Sequence, residues 1–218
     1  MEKNLVIRVE LVTSEELWKM AEAVRKKVFV KEQGIPENKE FDGNDFCAAH
    51  VVSYAEVGKR KMPIGTMRIR FFSDFVKFER MAILESFRKT GASERIMEYG
   101  IKYASEKGYK SVYGMCKKEL LPRWEDCGYR PIEGLPKVEQ NGMELIPIQL
   151  VIPDNPQAIR IGTRPQLLTA LEGHWDEVRD TEGEEEKDLS KITAMILKFK
   201  NFTRKKRDSV SYTHLRAH

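Results

Sequence analysis

The residues best placed to do chemistry in this 218-residue chain are Arg88, Lys89, Thr90, Gly91, Ala92 and Ser93. They read R-K-T-G-A-S between the apolar run "ERMAIL" and a stretch, "ERIMEYGIKYASEKGY", with helical periodicity. A helix start leaves its first N–H groups without intrahelical acceptors, and the positive end of the helix dipole adds to their attraction for an anion. Several donors converging at a strand-to-helix turn suit a diphosphate. Gly91 permits close backbone approach, and Arg88 and Lys89 add positive charge. For such a turn in isolation an ordinary solvated cap is the plainer reading, so the surrounding elements decide.

Hydrophobic periodicity supplies those elements. "NLVIRVELV" (4–12) alternates as a strand, and Thr13 with Glu16 three residues on forms a capping-box helix start. Leu17, Ala21, Val24 and Val28 give that helix a buried face, and Gly34 and Pro36 end it. "CAAHVVSYAEV" (47–57) and "PIGTMRIRFF" (63–72) form a hairpin, with Met67, Ile69 and Phe71 on one side and Thr66, Arg68 and Arg70 on the other. "FVKFERMAIL" (75–84) is a third strand, followed by the turn and a helix ending at Gly108. "KSVYGMC" (110–116), the short helix "ELLPRWEDC" and "MELIPIQLVI" (143–152) complete an α/β domain around a mixed sheet. Residues 1–152 are expected to form this domain, and 153–208 a charged, partly helical extension. The extension holds "TRPQLLTALEGHWDEV" as one helix, an acidic linker "DTEGEEEKD" and a basic amphipathic stretch "LSKITAMILKFKNFTRKKR". Residues 209–218 read as a non-native tail.

Composition narrows the class. Charged residues make up 33% and hydrophobic residues 41%, which suits a soluble chain with a core. The longest apolar run, "LIPIQLVIP", is too short to span a bilayer, and the N-terminus carries no signal-peptide pattern. Cys47, Cys116 and Cys127 form no C-x-x-C pair, which fits reduced thiols in the cytoplasm. No metal-ligand spacing stands out. The net charge of +4 is mild and gathers largely in "KFKNFTRKKR", so no specific nucleic-acid partner is expected.

"RMAILESFRKTGAS" resembles the acetyl-CoA signature of the GNAT N-acetyltransferase superfamily, Q/R-x-x-G-x-G/A, with Arg88, Gly91 and Ser93 at its positions. Ser93 departs from Gly/Ala but is small, and its hydroxyl is free to cap the helix. "RKKVFVKEQGIPENKEFDGND" (25–45) resembles the first-helix region of the ElaA-like branch, and "AAHVV", "PIGTMRIR" and "WEDCGYRPI" follow in the family's order. The resemblance covers about residues 4–152. It implies a twisted mixed sheet flanked by helices, with the central strands splayed apart. Acetyl-CoA would lie in the splay as co-substrate, its pantetheine along Met81, Ala82 and Ile83 and its diphosphate on the Arg88–Ser93 turn. The implied acceptor is an amine of a small molecule or protein, no metal is involved, and a homodimer is compatible.

Acetyl transfer requires a neutral amine, a polarised thioester carbonyl and a proton for the departing thiolate. The N–H of Met81 or its neighbour is the candidate for the carbonyl. Many family members use a Tyr as proton donor where this chain has Trp124, and an indole N–H cannot serve as an acid. Lys117 stands where the branch usually has Gln. Base candidates are Glu79, Glu32, His50, Asp42 and Asp45, with Glu79 and His50 taken as catalytic. Glu32, Asp42, Asp45 and Arg68 are taken as substrate-facing. Plainer readings stand beside these: His50 as a core residue, "FDGND" as turn chemistry, Arg68 and Arg70 as solvated surface, and Cys116 as a buried neutral thiol.

Two other functions fit the same residues. Arg25, Phe29, Asp42, Asp45 and Arg68 also resemble the pattern of acylhomoserine-lactone synthases, though "RKTGAS" argues for the acetyltransferase. Trp124 and the unmatched extension leave room for a non-catalytic CoA-binding module.

Overall fold

Residues 6–58, 60–140 and 142–180 are described by the computed structural model. Strand β1 (Ile7–Leu11) leads into helix α1 (Glu15–Arg25), and the short helix α2 (Glu37–Glu40) follows. Strands β2 (Ala49–Val57), β3 (Arg60–Phe71) and β4 (Val76–Ile83) form a meander, after which helix α3 (Ala92–Glu106) crosses over to β5 (Ser111–Lys117). Helix α4 (Leu121–Asp126), strands β6 (Arg130–Pro131), β7 (Val138–Gln140) and β8 (Met143–Val151), and helices α5 (Pro165–Thr169) and α6 (Trp175–Asp180) complete the order. The sheet runs β1-β2-β3-β4-β5-β8-β6, with β7 added on β8, and among the described residues its only parallel pair is β4–β5.

Two faces of the sheet are covered differently. On one, Ile96, Met97, Ile101 and Ala104 of α3 pack with Met67, Ile69, Val76, Val112 and Ile148. Gly100 makes that approach possible, because a Cβ there would sit 2.5 Å from Met67 Cε and 3.0 Å from Phe78 Cζ. On the other, Leu17, Met20 and Ala21 of α1 cover Val52 and Tyr54, and Val24 and Val28 cover Ala82. The buried helical face expected from the 3.6-residue spacing is therefore in place.

Several local features differ from the sequence reading. Ser14, not Thr13, caps α1: its extended backbone lets Oγ accept from Leu17 N–H at 3.3 Å. The helix then widens into a π-turn over Lys26–Glu32 before Gly34 (φ +70°) ends it. "TRPQLLTALEGHWDEV" forms two short helices instead of one, parted by Gly173 at φ +81°. The short strands β6 and β7 had no legible alternation.

Packing does not stop at residue 152. Leu167 and Trp175 are buried in the main core, and the Trp175 ring stacks on Tyr103 at 5.8 Å, 4° from parallel. Ile159 N–H donates to Glu106 O at 2.7 Å, and Asn155 Nδ2 donates to Ser105 Oγ at 3.2 Å. Residues 155–180 thus strap the outer side of α3. The acidic linker beyond it, the basic stretch and the tail at 209–218 lie outside the described residues.

Candidate active site

A defect in β4 creates the cleft. Thr66 pairs with Ala82, but Arg68 pairs with Glu79, so two residues, Arg80 and Met81, oppose the single Met67. Arg80 takes up the extra residue at φ +52°, a left-handed conformation uncommon outside glycine that costs about 1–3 kcal/mol. On the other side, β4 pairs with β5 only at Val76–Val112 and Lys77–Tyr113. Beyond them the strands part, and Gly114–Lys117 pair with β8 alone. Arg80 and Met81 therefore have a partner in neither ladder, and their peptide groups border the splay.

The splay runs toward the Arg88–Ser93 turn. Lys89 (φ +75°) and Gly91 (φ +84°) both take left-handed backbones, and Gly91 is the N-cap of α3. The first intrahelical bond runs from Arg95 N–H to Gly91 O at 3.2 Å, which leaves the N–H groups of Ala92, Ser93 and Glu94 without helical acceptors. Ser93 does not cap the helix: its Oγ donates to Glu94 Oε2 at 2.8 Å. Three unpaired donors at a helix start, a Gly with no Cβ, and Lys89 beside them fit a diphosphate. Arg88 is turned away from that turn. Its Nη2 donates to Glu32 Oε2 at 2.5 Å and its Nε to Ile83 O at 3.2 Å. Glu32 thus sits at the turn.

Asp42, Asp45, Arg68 and Glu79 come together in one buried network, with Arg25, Glu40, Arg80 and Lys77 as further members. Arg25 Nε donates to Glu40 Oε1 at 2.6 Å, and its Nη1 to Asp45 Oδ1 at 2.7 Å. Arg68 Nη1 donates to Asp45 Oδ1 and Asp42 Oδ1, both at 2.7 Å, and its Nε to Glu79 Oε1 at 2.9 Å. Lys77 Nζ meets Glu79 Oε2 at 2.8 Å, and Arg80 Nε meets Glu40 Oε2 at 2.9 Å. Four cations thus balance four carboxylates, which is what burying charge demands. Burial pushes the Asp42 carboxyl upward, but hydrogen bonds and charge from Arg68 outweigh it and hold it at about 2. Burial likewise works against ionised Glu79, and Lys77 and Arg68 together still hold it below the usual range.

These contacts change what the predicted residues can do. Arg68 is 1% exposed, not a solvated strand residue, and internal carboxylates occupy its guanidinium. Asp45 is likewise enclosed. Glu79 borders the splay as a carboxylate weakened as a base by its cations. His50 lies under α1, its ring 4.8 Å from Trp18, with Nε2 on Asp45 O at 3.1 Å. Burial holds it below the usual histidine range, hence neutral at pH 7. It braces the network from behind. The Cys116 thiol is buried and pushed up by burial, which fits an inert thiol. Trp124 packs edge-on against Tyr129 at 5.1 Å. Among the described residues, no group of three His, Cys, Asp or Glu could hold a metal ion, and no helix is long and apolar enough to cross a membrane.

Glu40, Arg80 and Lys77 were not singled out from the sequence. "FDGND" followed by a strand Arg was a signal for Asp42, Asp45 and Arg68; nothing comparable marks Glu40 or the position of the bulge.

The Acetyltransferase (GNAT) family profile matches residues 15–129. A Bacillus subtilis (strain 168) protein named as an acetyltransferase is 31% identical over 141 residues, covering 61% of this chain and 93% of that protein. Among solved structures, a Lactobacillus plantarum protein named as an N-acetyltransferase is similar at TM-score 0.61 and 22% identity, over 67% of this chain and 99% of the other. Escherichia coli ElaA is similar at TM-score 0.56 and 20% identity, over 66% and 99%. Those two likenesses establish the fold, and the profile spanning more than half the chain, from α1 through Tyr129, establishes descent. The chain belongs to the GNAT family and is a GNAT-type acetyltransferase.

Proposed function

We propose that the protein transfers an acetyl group from acetyl-CoA to an amine of a small molecule or protein, with the coenzyme in the β4–β5 splay. The observation that carries this reading is that the β4–β5 ladder ends at Lys77–Tyr113 and the opened strands lead to a turn with three unpaired N–H donors. Met81, Ala82 and Ile83 would line the pantetheine, and the Lys89–Ser93 backbone would hold the diphosphate, with Arg88 able to join by leaving Glu32. Bound there, acetyl-CoA supplies the activated thioester. The chain's own part is to orient it with unladdered peptide groups and to receive the amine beside Glu79. Because Glu79 is held ionised and weakly basic, it serves better to hydrogen-bond an incoming ammonium or a relaying water than to take a proton outright.

A second reading within the same chemistry is an acylhomoserine-lactone-synthase-like transfer to an amino-acid-type amine. It is favoured by the union of Arg25, Asp42, Asp45 and Arg68 in one network. The test is incubation of the protein with acetyl-CoA and a mixture of metabolite amines, followed by mass analysis. An acetylated product with matching release of thiol supports the proposal. Binding of acetyl-CoA with no product and no thiol release across amines, amino acids and lysine peptides counts against it.

A further inference from the structure

We propose that Arg80 is a positioning residue whose side chain, clamped by Glu40 of α2, sets the peptide-plane angle at the entrance of the splay. The inference rests on the splay being the acyl site and adds a device that holds it in shape. Three contacts hold the Arg80 guanidinium: an ion pair of Nε with Glu40 Oε2 at 2.9 Å that lacks hydrogen-bond alignment, a hydrogen bond from Nη2 to Lys39 O at 3.2 Å, and a longer ion pair of Nη2 with Asp42 Oδ2 at 3.6 Å. All three come from one short segment, residues 39–42, on the face opposite α3. Glu40 is itself immovable. It is fully buried, its other oxygen accepts from Arg25 Nε at 2.6 Å, and its backbone carbonyl accepts from Arg25 Nη2 at 2.7 Å. Arg25 in turn is anchored by Asp45.

The clamp answers a specific need. Packing determines that an extra residue must be absorbed in β4, because Ala82 faces Val24 and Val28 while Met81 and Ile83 face the α3 side. Packing does not fix the dihedral angles of the absorbed residue, which has no register partner in either neighbouring strand. A non-glycine residue at φ +52° relaxes toward negative φ unless something over-determines it. Relaxation would rotate the Arg80–Met81 peptide, and with it the N–H that borders the splay. The Arg80 side chain, fixed at its far end to residues 39–42, opposes that rotation. The same geometry explains why a four-residue helix carries a carboxylate into the interior: α2 presents Glu40 between two guanidinium groups, one anchored and one to be held.

Two variants separate this role from direct substrate contact. Arg80→Ala and Arg80→Gly lose the same charge and the same clamp, but only glycine accepts positive φ without strain. In ligand-free protein, amide hydrogen exchange at the laddered residues flanking the bulge, Glu79 and Ala82, should accelerate roughly tenfold or more in Arg80→Ala. In turnover, Arg80→Ala should lose roughly tenfold or more in kcat with acetyl-CoA affinity by calorimetry within about threefold of the parent, while Arg80→Gly returns kcat to within about threefold of the parent. Equal loss in both variants would overturn the proposal, since it would mean that the guanidinium itself touches substrate. Unchanged exchange at Glu79 and Ala82 in Arg80→Ala would overturn it as well. If the parent turns over no amine, the functional reading fails while the exchange measurement still decides the clamp.

Discussion

Arg25 and Arg68, on α1 and β3, share one carboxylate oxygen: Asp45 Oδ1 accepts from both at 2.7 Å. Both arginines are enclosed, so Asp45 is the neutralising centre that ties the first helix to the middle of the sheet. Asp45→Asn leaves two buried guanidinium groups short of an anion. It should destabilise the fold by about 3–5 kcal/mol. Denaturant unfolding checks this. A cost below about 1 kcal/mol would show that the network relaxes without its centre.

Acidification should act through Asp42. Its carboxyl is ordinarily 3.8 and is held at about 2 in the fold. The unfolded chain therefore binds the proton first, and the stabilisation is complete above the ordinary value and lost as pH falls through that window. Glu40, raised by burial, contributes in the opposite sense, so the readout is a difference between proteins. Melting temperature should fall more steeply between about pH 4 and pH 2 in the parent than in Asp42→Asn. Parallel curves would remove Asp42 from the account.

Gly91 combines a left-handed backbone with the position nearest the unpaired N–H groups. Gly91→Val adds both strain and a branched side chain where the proposed diphosphate would approach. Acetyl-CoA binding should weaken tenfold or more, about 1.4 kcal/mol. Calorimetry giving equal affinity would move the diphosphate elsewhere.

Trp124 lies against Tyr129 and carries no dissociable proton of useful acidity. Trp124→Phe keeps an aromatic contact and should preserve most turnover. A collapse of rate in a folded variant that still binds acetyl-CoA would give Trp124 a part in the chemistry.

Truncation should show whether residues 155–180 belong to the folded unit. Ending the chain at Asp154 removes the buried Leu167 and Trp175, each worth about 1.5–3 kcal/mol, and strips Tyr103 of its stacked partner. That truncate should melt roughly 10 °C or more below one ending at Asp180. Equal melting of the two would restore the boundary at 152.

Most strands, the α1 and α3 faces and the glycine turn ahead of α3 were legible in the sequence because each depends on neighbours within a few residues. Leu17, Ala21, Val24 and Val28 declare a helical stripe by spacing alone, and Gly91 between a strand and a helix declares a turn open to an anion. Only the tertiary structure decided the roles of the charged residues. A carboxylate's role depends on which cation stands beside it, and Asp45, Arg25 and Arg68 come from three elements brought together by folding. Asp42 and Arg68, read as open to substrate, hydrogen-bond each other, and Arg68 also donates to Asp45 and Glu79. The bulge at Arg80 is equally non-local, since it exists because β3 and β4 differ by one residue over the same span. The strap at 155–180 escaped notice for the same reason: Trp175 is an isolated aromatic in a polar stretch until α3 presents Tyr103 to stack on it.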